Sequence, residues 1–211
     1  MSKTFCIYPK DSSTAFLEPI FNAICGGDGV DSVVGDSSDD EFFDSLNKGL
    51  QDTSLENLIF LGHGSSTTLY GTKFDTLLED KDLTSWAQKT MILFSCNSRD
   101  FLKKMGATRY VGFGFVPSGF DDVNGNPNFH HLNLSQLRGD DWEYVRCKYQ
   151  EIWLNALRGF SDLNDVAGLG ARLKLYTNCA IVDVLEDKTA SNRALIADML
   201  YYIKEDMVVN G

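Results

Sequence analysis

Two short stretches of this chain, Leu58-Ile59-Phe60-Leu61 and Met91-Ile92-Leu93-Phe94, contain no polar side chain at all. A strand with one wet face alternates apolar and polar residues, whereas one that is apolar at every position needs cover on both faces. Amphipathic stretches of helical spacing separate these runs from their neighbours. Buried strands alternating with helices predict an α/β domain, with a mostly parallel central sheet and helices on both faces. Each run ends in a polar cluster, Gly62-His63-Gly64 after the first and Ser95-Cys96-Asn97 after the second. Open α/β sheets bind ligands outside the carboxyl ends of their strands. Both clusters therefore belong at the same sheet edge.

The remaining pattern fits that plan. Thr4–Tyr8 reads as a strand ended by Pro9, and Val30–Val34 as a weaker one. Residues 12–24 carry apolar side chains at helical spacing, with Ser12 or Ser13 as cap, and stop at Gly26, Gly27 and Gly29. Residues 39–50 read as a helix with acids in the first turn, where the helix dipole favours them. Residues 69–74 suggest a small hairpin or strand, 83–88 a short helix, 99–105 a helix and 110–116 a glycine-containing strand. Helical patterns follow at 142–157, 162–175 and 190–203. With no repeat, no low-complexity tract and no long linker, the chain reads as one domain over 1–211. Its core spans about 1–135 and its helical part about 140–211.

The 211 residues are 43% hydrophobic and 23% charged, enough to bury a core without staples. The net charge of −11 disfavours nucleic acid and anionic lipid as partners. No apolar run approaches the ~20 residues of a membrane span, and the N-terminus lacks the charged and apolar regions of a signal peptide. A cytoplasmic protein is expected. The five cysteines are odd in number and form no Cys-x-x-Cys pair, so disulfide and zinc frameworks explain them poorly. No metal or other cofactor is expected.

Cys96 and His63 are the residues with chemical promise. A thiol is nucleophilic as thiolate and needs a base or cation beside it. The two stand 33 residues apart, room for one crossover between neighbouring parallel strands. Gly64 lacks a Cβ, so its N–H can approach a substrate carbonyl closely. Cys96 precedes a helix start, where amides are unpaired and negative charge is favoured. The N–H groups of Gly64 and Cys96 thus suit an oxyanion hole.

Other signals carry less. From Asp122, an EF-hand calcium loop would need Gly and Glu where Pro127 and Asn133 stand. His130 and His131 are too close for two ligands on one helical face. Ser65 and Ser66 lie in no nucleophile elbow. Phosphate loops are absent, and Gly26-Gly27-Asp28-Gly29 follows a helix rather than a strand. Trp142, Tyr149 and Trp153 read as packing.

The runs LIFLGHGSS, MILFSCNS and MGATRYVGFGF resemble the caspase-like cysteine peptidases, a group including caspases, separase, clostripain, gingipains and the bacterial CHAT domains. The likeness is greatest to CHAT domains: a small residue then Cys-Asn-Ser, here Ser95-Cys96-Asn97-Ser98, and a following strand opened by Gly106-Ala107. It covers about residues 58–175. The late helix ending Leu157-Arg158-Gly159 is one residue short of the CHAT spacing. FVPSGFDDV also stands where CHAT and separase carry a Trp-Asp run. The resemblance implies a caspase-like three-layer sandwich and an intracellular cysteine endopeptidase acting on a protein or peptide. In it His63 is general base and acid, Cys96 nucleophile, and the amides of Gly64 and Cys96 oxyanion donors. It also implies that an acid near Asp121 and Asp122 lines a pocket for a basic residue before the cleaved bond, while Arg99 or Arg109 would instead select an acidic one. The alternatives are a caspase-fold binding or signalling module, regulated by a protein partner, and a hydrolase or acyltransferase using the same pair on a non-peptide carbonyl.

Overall fold

The computed structural model describes residues 3–123 and 134–211. Six strands form the central sheet: β1 (Thr4–Pro9), β2 (Val30–Gly35), β3 (Asn57–Leu61), β7 (Thr90–Phe94), β8 (Arg109–Gly112) and β9 (Val208–Asn210), in the order β2-β1-β3-β7-β8-β9. All neighbours are parallel except β9, which closes the edge antiparallel to β8. The remaining strands β4 (His63–Gly64), β5 (Thr68–Tyr70) and β6 (Thr76–Glu79) form a small antiparallel sheet in the β3–β7 crossover.

The seven α-helices among the described residues are α1 (Glu18–Cys25), α2 (Asp40–Gln51), α3 (Ser98–Met105), α4 (Phe120–Val123), α5 (Gly139–Leu157), α6 (Val166–Glu186) and α7 (Arg193–Asp206). Because strand side chains alternate with period two, the apolar runs split between two cores. Tyr8, Ile59, Leu61, Ile92, Phe94 and Val111 meet α1, α5, α6 and α7. Phe5, Ile7, Leu58, Phe60, Met91 and Leu93 meet α2, α3 and the small sheet. This double cover is what the all-apolar runs demanded.

The chain runs from β1 outward to β2 and then returns, by way of α2 on the other face, to β3 on the far side of β1. Strand order therefore reverses between β1 and β3, and open α/β sheets bind their ligands at the carboxyl ends of the strands at such a point.

Several boundaries differ from the sequence reading. The expected helix over 12–24 is a 3-10 turn, Ser12–Leu17, leading into α1, and its cap is Asp11, whose side chain accepts from Ser13 N. The 83–88 helix is a 3-10 segment at Asp80–Trp86. The 110–116 strand stops at Gly112, because the Phe113 carbonyl turns to accept from Arg99 N. The 162–175 helix instead runs from Val166 to Glu186, since Leu173, Thr177, Ala180 and Val184 extend one buried stripe. Strand β9 was not anticipated: three residues with one half-buried side chain have no periodicity to read. No described helix is long and apolar enough to cross a membrane.

Candidate active site

Strands β3 and β7 are neighbours in register, with Leu61 opposite Phe94, so the segments after them emerge side by side. Gly62 N adds one more bond, to Phe94 O at 3.3 Å, before the chain turns into β4. His63 and Cys96 then line one cavity of about 20 Å³, room for about one water. Thr14, Phe16, Ser118 and Asp122 share its wall.

One left-handed residue and two hydrogen bonds shape the turn that carries the thiol. Asn97 adopts left-handed φ of 55°. Buried Ser98 donates to Leu93 O at 2.8 Å and accepts from Phe113 N at 2.9 Å, tying the ends of β7 and β8 to the start of α3. The expectation of unpaired amides at this helix start is corrected here: Asn97 N is taken by Gly114 O at 2.6 Å and Arg99 N by Phe113 O at 2.9 Å. The cause is the loop after β8, which folds back over α3. The amide of Cys96 itself has no acceptor among the described residues. Gly64 packs against the Ser95-Cys96 segment, since a Cβ there would stand 3.0 Å from Cys96 O and 2.7 Å from Ser95 Oγ. The Ser95 hydroxyl is buried and makes no hydrogen bond among the described residues.

Electrostatics keep the pair neutral at rest. Burial, opposed by the Val116 amide and reinforced by Asp122, pushes the Cys96 thiol up to about 12. Its Sγ accepts from Val116 N and donates to Val116 O, both at 3.4 Å. Burial lowers the His63 imidazole below its ordinary value, although Asp122 and Asp11 pull the other way. The site therefore starts as thiol and neutral imidazole rather than as an ion pair, and deprotonation belongs to the reaction.

Asp122 caps α4: its Oδ2 accepts from Ser118 N (2.7 Å), Ser118 Oγ (3.0 Å) and Gly119 N (2.9 Å). Tyr149 donates to Pro117 O and Arg146 to Ser118 O, which fastens this segment to α5. The side chain of Asp121, residues 124–133 and with them His130, His131 and most of the calcium-loop reading lie outside the described residues. Arg109 is removed from the site: it stands at the amino end of β8 and donates to Thr90 Oγ1 at 2.8 Å. Arg99 pairs with Asp206 at the end of α7.

Sequence reasoning missed the residues nearest the imidazole. His63 Nε2 lies 2.6 Å from Ser13 Oγ, which donates to Asp11 Oδ1 at 2.6 Å. Phe74 lays its ring on the imidazole, with centroids 4.1 Å apart. Asp11 follows β1, a strand tip that no local pattern joins to His63 and Cys96. Among the described residues no group of three or more His, Cys, Asp or Glu side chains converges on a metal position. Neither a protein-family model nor a curated protein matches this chain.

Proposed function

We propose that this protein is a cysteine endopeptidase of the caspase-like type, with the CHAT-like variant of that fold, acting in the cytoplasm on protein or peptide substrates. The observation that carries the reading is the shared cavity: two adjacent parallel strands deliver an imidazole and a thiol to one wall-to-wall space. In the reaction His63 takes the thiol proton as Cys96 attacks the scissile carbonyl. The amides of Gly64 and Cys96 receive the developing oxyanion, and the proton passes to the leaving amine. Water then releases the thioester. Asp122 on the cavity wall supports a preference for a basic side chain before the cleaved bond. Five free cysteines suit a reducing compartment.

A second reading has its own observation. The thiol is clasped by Val116, pushed to about 12, and faces space for about one water. A binding module whose site opens only when a protein partner moves the 116–119 segment fits that arrangement.

Screening wild type and Cys96→Ala against a broad peptide library decides between them. The peptidase reading expects cleavage that vanishes in the variant and favours arginine or lysine. Cleavage that survives the substitution overturns it, and turnover only after acidic residues overturns the role of Asp122.

A further inference from the structure

The contacts around His63 determine where its proton sits. Asp11 accepts from Ser13 N at 2.9 Å, Ser13 Oγ at 2.6 Å and Lys73 N at 3.0 Å. Burial works to raise its carboxyl, but those bonds and the neighbouring imidazole outweigh it and hold the group below the usual carboxylate range. Asp11 is therefore an ionised, acceptor-only partner. A hydroxyl has a single proton, and at 2.6 Å from a carboxylate oxygen the proton between them must come from Ser13. Ser13 Oγ then has only lone pairs left for its other contact, the 2.6 Å approach to His63 Nε2. That nitrogen must carry the hydrogen. Direct help from Asp11 is out of reach, its Oδ1 lying 4.0 Å from Nε2.

A second feature locks the arrangement. Lys73 and Phe74 both adopt left-handed backbone, with φ of 58° and 62°, a region bulky residues avoid. The turn is gripped from beneath: Thr72 N donates to Ser37 Oγ at 2.7 Å and Thr72 Oγ1 to Lys10 O at 3.1 Å. The strained pair delivers the Lys73 amide to Asp11 and the Phe74 ring to the imidazole. Strain concentrated at one such point is a mark of function.

We propose that Asp11 and Ser13 are positioning residues that fix His63 as its Nε2–H tautomer, braced by the 72–75 turn, so that Nδ1 is the base for Cys96. The proposal rests on the peptidase reading only for that last clause. In the step itself the thiol proton moves to Nδ1, the sulfur lone pair forms the C–S bond and the carbonyl π pair moves to oxygen. The imidazolium so formed keeps its Nε2–H on Ser13, whose hydroxyl stays on Asp11. Among the described residues, the charged or titratable groups beside the ring are Asp11, Asp122, Cys96 and, across the β4–β5 ladder, Tyr70, and both carboxylates favour the imidazolium.

Nitrogen NMR of the full chain with labelled histidine reads the tautomer directly, with the His63 signal assigned by His63→Gln. The expected spectrum at neutral pH has the proton on Nε2 and a bare Nδ1. Ser13→Ala should mix the tautomers, and Ser13→Thr, which keeps the hydroxyl, should restore them. Asp11→Asn should move the imidazole titration, and the acid limb of the rate profile, to lower pH. It should also cut kcat roughly 10–100-fold with KM unchanged, a share of what a general base supplies. A wild-type proton on Nδ1, or a spectrum indifferent to Ser13→Ala, overturns the proposal whatever the turnover. Absence of turnover in wild type strikes the peptidase reading and leaves the tautomer to the spectrum.

Discussion

The two edges of the central sheet are built on opposite terms. At the amino edge, buried polar side chains bond to one another: Asn57 Nδ2 donates to Thr4 Oγ1 at 3.1 Å, and Thr90 Oγ1 accepts from Arg109 at 2.8 Å while donating to Asn164 Oδ1 at 3.2 Å. At the carboxyl edge stand the three non-glycine residues with left-handed φ among those described, Lys73, Phe74 and Asn97. A buried hydroxyl with no partner among the described residues and a thiol and imidazole both displaced from their ordinary pKa lie there too. Backbone strain costs stability, and a fold keeps it where geometry serves something other than folding. The strain at the carboxyl edge supports the proposed site by an argument independent of any motif.

Four substitutions and one titration would break or sharpen this contrast, and the largest effect belongs to the dyad. Cys96→Ala should lower turnover by at least ~10⁴-fold, since a nucleophile and its base act as a unit, and should leave thermal stability within a few degrees. Next comes the reactivity of the resting thiol. With Cys96 at about 12, its alkylation by iodoacetamide should climb about tenfold per pH unit and show no plateau below about pH 10. Mass spectrometry of the Cys96 peptide separates it from the exposed Cys147 and Cys179. A plateau near neutrality would mean an ion pair at rest and a different electrostatic account.

Gly64→Ala should follow, with a loss near 100-fold in kcat and about 1–3 kcal/mol of stability. The added Cβ would press on Ser95 Oγ at 2.7 Å and on Cys96 O at 3.0 Å. The smallest effects form a matched pair of isosteric tests, one at each edge. Thr90→Val at the amino edge removes the partner of Arg109 and Asn164 and should cost about 1–3 kcal/mol without altering turnover. Ser95→Ala at the carboxyl edge removes an unsatisfied hydroxyl and should be neutral or stabilising by at most about 1 kcal/mol. Chemical denaturation of both variants checks the signs, and equal losses would erase the contrast between the edges.

The all-apolar runs of β3 and β7 made the parallel sheet, its double cover and the approach of His63 to Cys96 legible before any coordinates, because burial on both faces leaves a one-dimensional mark. Asp122 came into view only through the family resemblance, which implies an acid in that region; no periodicity marks it. Asp11 and Ser13 were not legible. Read along the chain they are ordinary helix-start residues, and their meeting with His63 depends on the strand order reversing between β1 and β3, which no local pattern encodes. The paired amides at the start of α3 were hidden likewise, because their acceptors Phe113 and Gly114 come from a loop that the glycine-containing run 110–116 disguised as strand. The full length of α6 was lost where Thr177, Asn178 and Cys179, weak helix formers, interrupt the signal although Thr177 is buried and bonded to Leu173 O at 2.7 Å.

The central claim is that Cys96 and His63 act together on an acyl group, and intact-mass analysis after acid quench of a reaction with an activated peptidyl-arginine ester tests it most directly. The account predicts a single acyl adduct on Cys96 in wild type and none in His63→Ala. An adduct on Cys147 or Cys179 alone, or one on Cys96 that forms equally fast without His63, would contradict it.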